Sequence, residues 1–101
     1  MKSKFTLVST QLRGFVSLAR HGSYTRAAQD LRQTQSALSH AIQALERDLG
    51  VRLCLIARRE LELTPAGKKI LPHAREILGE MRRIRARAAT ARLPLPARRA
   101  A

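Results

Sequence analysis

Thr34–Gly50, TQSALSHAIQALERDLG, is the stretch that decides the fold. Placed at about 100° per residue from Leu38, Ile42 falls near 40°, Leu45 near −20° and Leu49 near 20°, which makes one narrow apolar stripe. Ser36, Ser39, His40, Gln43 and Arg47 fall between roughly 100° and 200°, on the opposite side. Thr34 is the expected N-terminal cap and Gly50 the stop. One face packs, and the other presents short hydrogen-bonding groups.

Upstream, Ser9–His21 sets Leu12, Phe15, Val16 and Ala19 at helical spacing, and Gly22 ends the segment. Ser23 can cap a second, short helix through Arg26, Ala27, Ala28 and Leu31. Arg32-Gln33-Thr34 then forms a tight turn into the third helix. Downstream, Val51–Ile56 and Glu60–Leu63 read as a small two-stranded hairpin around Ala57-Arg58-Arg59, with no strong turn dipeptide between them. Thr64 caps and Pro65 opens a long fourth helix, because the first turn needs no N–H from proline. Along it Ile70, Ala74, Ile77, Met81, Ile84 and Ala88 alternate at spacings of four and three, as a two-stranded seam requires, with Leu71 and Leu78 beside it. Pro72 removes one hydrogen bond from that helix. Beyond Ala89 the character changes: Leu93-Pro94-Leu95-Pro96 reads as extended, followed by Arg98-Arg99.

These patterns predict a mainly α protein: a three-helix core with a small β-hairpin wing, then a long helix. The expected division is 1–64 for a winged helix-turn-helix domain, 65–90 for a linker or dimerisation helix, and 91–101 for a flexible basic tail. The expected dimer seam is Ile70, Ala74, Ile77, Met81 and Ile84, since so short a chain offers that apolar area no other cover.

Charge narrows the function. Twenty Lys and Arg against seven Asp and Glu give a net charge of +13, which calls for a polyanionic partner. Residues 1–64 hold ten bases and five acids and residues 65–101 hold ten bases and two acids, so the excess is spread over both parts. An aromatic content of 3% without Trp favours an aliphatic helical core over an aromatic-rich sheet. A single cysteine, Cys54, excludes an internal disulfide and fits a reducing cytoplasm. No apolar run approaches the roughly 18 residues of a membrane span, and Met1–Phe5 lacks a signal-peptide core, so a soluble, cytoplasmic protein is expected.

Catalysis finds little footing. His21, His40 and His73 are scattered, and none has zinc-ligand spacing with Cys or Asp. Ser39 and His40 are neighbours on a helix and so point about 100° apart, a poor nucleophile–base pair. Cys54 sits in an apolar run, and there is no Gly-rich phosphate loop. A non-enzyme without cofactor or metal is expected.

Two helices joined by three residues, the second with a polar outer face, match the arrangement that inserts a recognition helix into the major groove. Ser36, Ser39, His40 and Gln43 can bond base edges or phosphates. Thr34 and Gln35 lie at the helix N-terminus, where free N–H groups favour a phosphate. Arg58 and Arg59 at the hairpin tip suit the DNA backbone or minor groove. The arginines at 82, 83, 85, 87, 92, 98 and 99, with no acid after Glu80, suit counterion release or a solvated helix end equally well.

The motifs, taken together, carry a family resemblance. Leu12-Arg13-Gly14-Phe15-Val16, Gly22 to Ala28, Gln35 to Ile42 with Ala44-Leu45-Glu46, Leu49 to Leu53, Leu63 to Gly67 and Leu71 to Leu78 appear in order and without gaps from about Thr10 to Arg87. The chain resembles the N-terminal domain of LysR-type transcriptional regulators. That resemblance implies a winged helix-turn-helix whose fourth helix pairs two subunits on double-stranded DNA with two half-sites, as a homodimer or higher oligomer. It implies DNA contacts from Thr25, Arg26, Gln35, Ser36, Ser39, His40 and Gln43, with Arg58 or Arg59 from the wing, and it makes Pro72 ordinary. Gln33 departs from the family's apolar turn residue, and Cys54 and Ile56 stand where Phe and Arg are usual. The family continues into a two-part effector-binding domain. No such domain is expected within Leu93–Ala101. A rival expectation is a short interaction protein that forms mixed dimers with full-length relatives through the linker helix, and a third is non-specific nucleoid packing resting on charge alone.

Overall fold

The computed structural model describes residues 7–91 and Leu95. The elements run α1 (Ser9–His21), α2 (Tyr24–Leu31), α3 (Gln35–Leu49), β1 (Cys54–Ala57), β2 (Glu60–Leu63) and α4 (Pro65–Ala91). The tail expected over 91–101 lies outside the described residues, apart from Ala91 at the end of α4 and Leu95.

Local chemistry sets the boundaries. Ser23 Oγ accepts the Arg26 N–H at 3.2 Å and Thr34 Oγ1 accepts the Ala37 N–H at 3.0 Å, so both short-loop helices begin on side-chain caps. Gly22 and Gly50 end α1 and α3 in the left-handed conformation. Arg32 does the same for α2 with φ 56°, and the Gln33 N–H then reaches back to the Ala28 carbonyl at 2.9 Å. That backbone bond closes the turn, so exposed Gln33 need not supply the apolar packing expected there.

The core is aliphatic around one aromatic: Phe15, Leu18, Leu38, Ile42, Leu45 and Leu53 are the largest fully buried side chains. Leu38, Ile42 and Leu45 are the α3 stripe, and Leu49 is half-buried at its end. Each such side chain contributes on the order of 1.5–3 kcal/mol by leaving water. The stripe is what locks the roll of α3 and turns its other face outward.

The hairpin is shorter than its sequence suggested. Strand β1 begins at Cys54, not Val51, and pairs antiparallel with β2 in the register Cys54↔Leu63 to Ala57↔Glu60. Arg58 and Arg59 alone form the loop, with φ 52° and 67°. Positive φ at both central residues is the requirement of the tightest hairpin turn, normally met by Asn-Gly. Two arginines meet it here, which explains why no turn dipeptide signalled it.

Helix α4 does not present one uniform seam. Ala74 (1% exposed) and Leu78 (7%) are buried in the subunit's own core, where α4 packs on α1. Ile70 is half-buried against that core, whereas Ile77, Met81 and Ile84 are 44%, 40% and 68% exposed. Measured from Ala74, Leu78 lies at roughly +40°, Ile77 at −60° and Ile84 at −80°, so one broad apolar arc has two edges with different fates. Ala74 therefore belongs to the intrachain side of the helix, and the free face is Ile77, Met81 and Ile84. Pro72 is exposed and α4 continues through it.

Candidate nucleic-acid interface

The outward side of α3 carries Ser36, His40, Gln43 and Arg47, all exposed, with Ser39 half-buried among them. Gln35 Nε2 donates to Thr25 Oγ1 at 2.8 Å, which ties the start of α3 to the start of α2 and brings Thr25, Arg26, Gln35 and Ser36 to one end of the surface. The oxygen of Thr34 is taken by the Ala37 N–H, so its first duty is structural. Gln43 Nε2 lies 3.4 Å from Ser39 Oγ, a weak bond that a base edge can readily replace. Tyr24, Gln35, Ser36 and Ser39 line an open cleft on this side.

Tyr24 was not legible as part of this surface. Its hydroxyl sits 3.9 Å from Cys54 Sγ, linking α2 to the root of β1. Burial, then the neighbouring thiol, push the Tyr24 phenol up to about 12. Burial likewise raises the Cys54 thiol above its ordinary value, so it stays protonated and is a poor nucleophile. Phe, the residue usual at position 54, has no such partner to offer.

The junction between α3 and the wing is polar and closely built. Glu46, whose side chain is 12% exposed, accepts the Leu53 N–H at 2.7 Å and pairs with Arg52 Nε at 3.4 Å. The Leu53 carbonyl accepts the Thr64 N–H at 2.9 Å, and Thr64 Oγ1 donates to the Arg52 carbonyl while capping Gly67 at 3.0 Å. A Cβ on Gly67 would lie 2.1 Å from the Leu53 carbonyl oxygen, so the first turn of α4 can approach this strand only because residue 67 has no side chain. Position alone gives a signal for Glu46: it falls at about 80° from Leu38, at the margin of the buried stripe. Nothing local marks its partners.

Arg58 and Arg59 project from the hairpin tip, fully separate in sequence from the helix face and exposed. Further charge lines α4, where Arg82, Arg83, Arg85 and Arg87 are all exposed and Glu80 pairs with Arg83 at 3.2 Å. On the far side of the core, buried Ser17 donates to Asp30 at 2.8 Å, and His21 Nε2 lies 3.4 Å from the same oxygen. The Ser17 bond first, and His21 after it, hold the Asp30 carboxyl below its ordinary value. Among the described residues no group of three His, Cys, Asp or Glu side chains is placed to hold a metal, and no helix is long and apolar enough to cross a membrane.

Three helices with a polar-faced third, a two-stranded wing ending in arginines and a long trailing helix define a winged helix-turn-helix DNA-binding protein. The sequence profile described as "Bacterial regulatory helix-turn-helix protein, lysR family" matches residues 9–68. The chain belongs to the LysR family of bacterial regulators, whose members are regulatory proteins and not enzymes. It is 53% identical over 70 residues to the uncharacterized HTH-type transcriptional regulator YvbU of Bacillus subtilis, an alignment covering 68% of this chain and 24% of that one. The OxyR C206 mutant of Corynebacterium glutamicum superposes with a TM-score of 0.86 at 35% identity, covering 92% of this chain and 30% of the other. The DNA-binding domain of CbnR, solved as a DNA complex, gives a TM-score of 0.77 at 38% identity and covers 84% of this chain and 98% of its own. The chain thus spans about a quarter of the length of the curated relatives it matches. Its match is to their DNA-binding part.

Proposed function

We propose that the chain binds operator DNA as a homodimer, with α3 in the major groove reading bases through Ser36, Ser39, His40 and Gln43. Thr25, Arg26, Thr34 and Gln35 hold the backbone beside it, and Arg58 and Arg59 reach the backbone or minor groove at the flank. In this reading residues 1–64 read DNA, and residues 65–90 pair two copies through Ile77, Met81 and Ile84 with support from Ile70. With DNA as its partner, its place is the cytoplasm, on the nucleoid. The observation that carries the proposal is the outward polar row of α3, fixed opposite a fully buried Leu38-Ile42-Leu45 stripe. Gln43 suits the two hydrogen-bonding positions of adenine, and removing one such base contact costs about 1–3 kcal/mol of discrimination. The CbnR domain is described as bound to DNA, which supports the same use of this surface.

Selection from a random duplex pool tests it. Gln43→Ala is expected to relax one position of each half-site, while Arg26→Ala weakens all sequences alike. Recovery of the unchanged motif by the Ser39→Ala, His40→Ala, Gln43→Ala triple variant would overturn the assignment of α3 as the reading element.

A further inference from the structure

We propose that Glu46 is a positioning residue for the wing: its carboxylate fixes where Arg58 and Arg59 stand relative to the docked recognition helix. The proposal rests on the DNA-binding reading above and extends it to a residue outside the proposed set of DNA contacts.

Glu46 lies near the end of α3 but turns away from the outward face, toward Leu53. There it accepts the Leu53 N–H at 2.7 Å and pairs with Arg52 at 3.4 Å. Leu53 is fully buried, and its carbonyl is taken by Thr64 at the root of α4. Both backbone polar groups of this one residue are therefore held, one by the recognition helix and the other by Thr64, the residue between β2 and α4, with Gly67 packed directly on the carbonyl. Strand β1 starts at the next residue, Cys54. From Leu53 to the Arg58 tip the chain spans roughly 17 Å at about 3.3 Å per residue, so a 10° tilt at Leu53 moves the tip by about 3 Å. A displacement of that size breaks a hydrogen bond to a phosphate. The apolar contacts of Leu53 hold it in the core but set no direction, whereas the Glu46 bond does.

Length, more than charge, is then the property that matters at position 46. Glutamine keeps an oxygen at the same reach to accept the Leu53 N–H. Aspartate keeps the charge but is one methylene short, and alanine has neither.

The experiment measures affinity and its salt dependence on one selected duplex for wild type, Glu46→Gln, Glu46→Asp, Glu46→Ala, Arg58→Ala/Arg59→Ala, and the last pair combined with Glu46→Asp. Folding is checked by circular dichroism, and flank contacts are read by hydroxyl-radical footprinting. Glu46→Asp and Glu46→Ala are expected to lose the flanking protection and to lower the log–log salt slope by about 1.8, the value for two phosphate contacts, which is about 60-fold in affinity at 0.1 M salt. The selected motif should stay the same, Glu46→Gln should remain near wild type, and Glu46→Asp should add nothing to the Arg58→Ala/Arg59→Ala loss. Glu46→Asp keeps the charge and removes a single methylene, so it carries the test even where Glu46→Ala unfolds. An additive loss in the combined variant, a Glu46→Gln that behaves like Glu46→Ala, or a Glu46→Asp with wild-type slope and footprint would overturn the proposal. A wild-type chain that selects no duplex would instead overturn the DNA-binding reading, and the wing assignment with it.

Discussion

Replacing Arg58-Arg59 with Asn-Gly should move stability and DNA affinity in opposite directions. Both arginines sit at positive φ, 52° and 67°, in a loop of two residues. A side chain bearing a Cβ pays roughly 1–2 kcal/mol for that conformation, which Gly avoids and Asn tolerates better than most residues. The exchange should therefore stabilise the protein by about 1–2 kcal/mol, with each kcal/mol raising Tm by about 4–8 °C in a domain of this size. The same exchange removes two positive charges from the wing tip. If each neutralises one phosphate, the salt slope falls by about 1.8 and affinity at 0.1 M falls about 60-fold. Calorimetry gives the first quantity, and fluorescence anisotropy on a selected duplex between 0.05 and 0.2 M salt gives the second. A Tm that is unchanged or lower would refute the strain argument. An unchanged slope with a raised Tm would show that the wing arginines do not meet the backbone, and that their strained placement serves something else.

The two edges of α4 predict different failures. Ile84→Glu should shift the protein toward monomer in sedimentation and remove the dependence of Tm on protein concentration, as should Ile77→Glu and Met81→Glu, whereas Ala74→Glu places a charge in the subunit core and should cost about 3 kcal/mol or more at any concentration. A wild-type monomer at tens of micromolar would refute the pairing role. Asp30 predicts an acid-sensitive contact: its carboxyl is held below its ordinary 3.8 when folded, so the stability it contributes is full above that value and is lost as pH falls through the lower folded value. Asp30→Asn should flatten the dependence of Tm on pH in that acid window, and an unchanged profile would refute the assignment.

Much of the fold was legible because local rules and tertiary packing agree along α1 to α3. Ser23, Thr34 and Thr64 cap the helices they precede, and the Leu38-Ile42-Leu45 stripe is the buried one. The hairpin was legible in its place but not in its loop, since Arg58-Arg59 violates the turn chemistry that a sequence advertises. The seam of α4 was legible as apolar but not as divided, because spacing records a face and not which neighbour covers it. Only α1, folded back against Ala74 and Leu78, decides that. The residues of the helix surface followed from periodicity. The junction at Glu46, Leu53, Thr64 and Gly67 did not, because it joins three segments through backbone groups that no side-chain pattern reports.

Where the charge lies separates affinity from selection. Within α3 there is one arginine, Arg47, against Glu46 and Asp48, so in a protein of net charge +13 the proposed reading helix carries a formal −1. On the proposed reading, attraction to DNA would then come from elsewhere, from Arg26, from Arg58 and Arg59 and from the arginines of α4, while neutral Ser36, Ser39 and Gln43 would choose among sequences with little pull of their own. Gln43→Lys tests this division. One added cation should strengthen binding to every duplex, by about 8-fold at 0.1 M salt if it meets one phosphate. The loss of the amide's two-point contact should at the same time lower the preference for the selected site by about 1–3 kcal/mol. Competition between a selected and a scrambled duplex measures both effects in one titration. A variant that binds everything more tightly and keeps its preference would place base reading away from Gln43. A variant that loses preference without gaining general affinity would place position 43 out of reach of the backbone, with its contact directed at the bases alone.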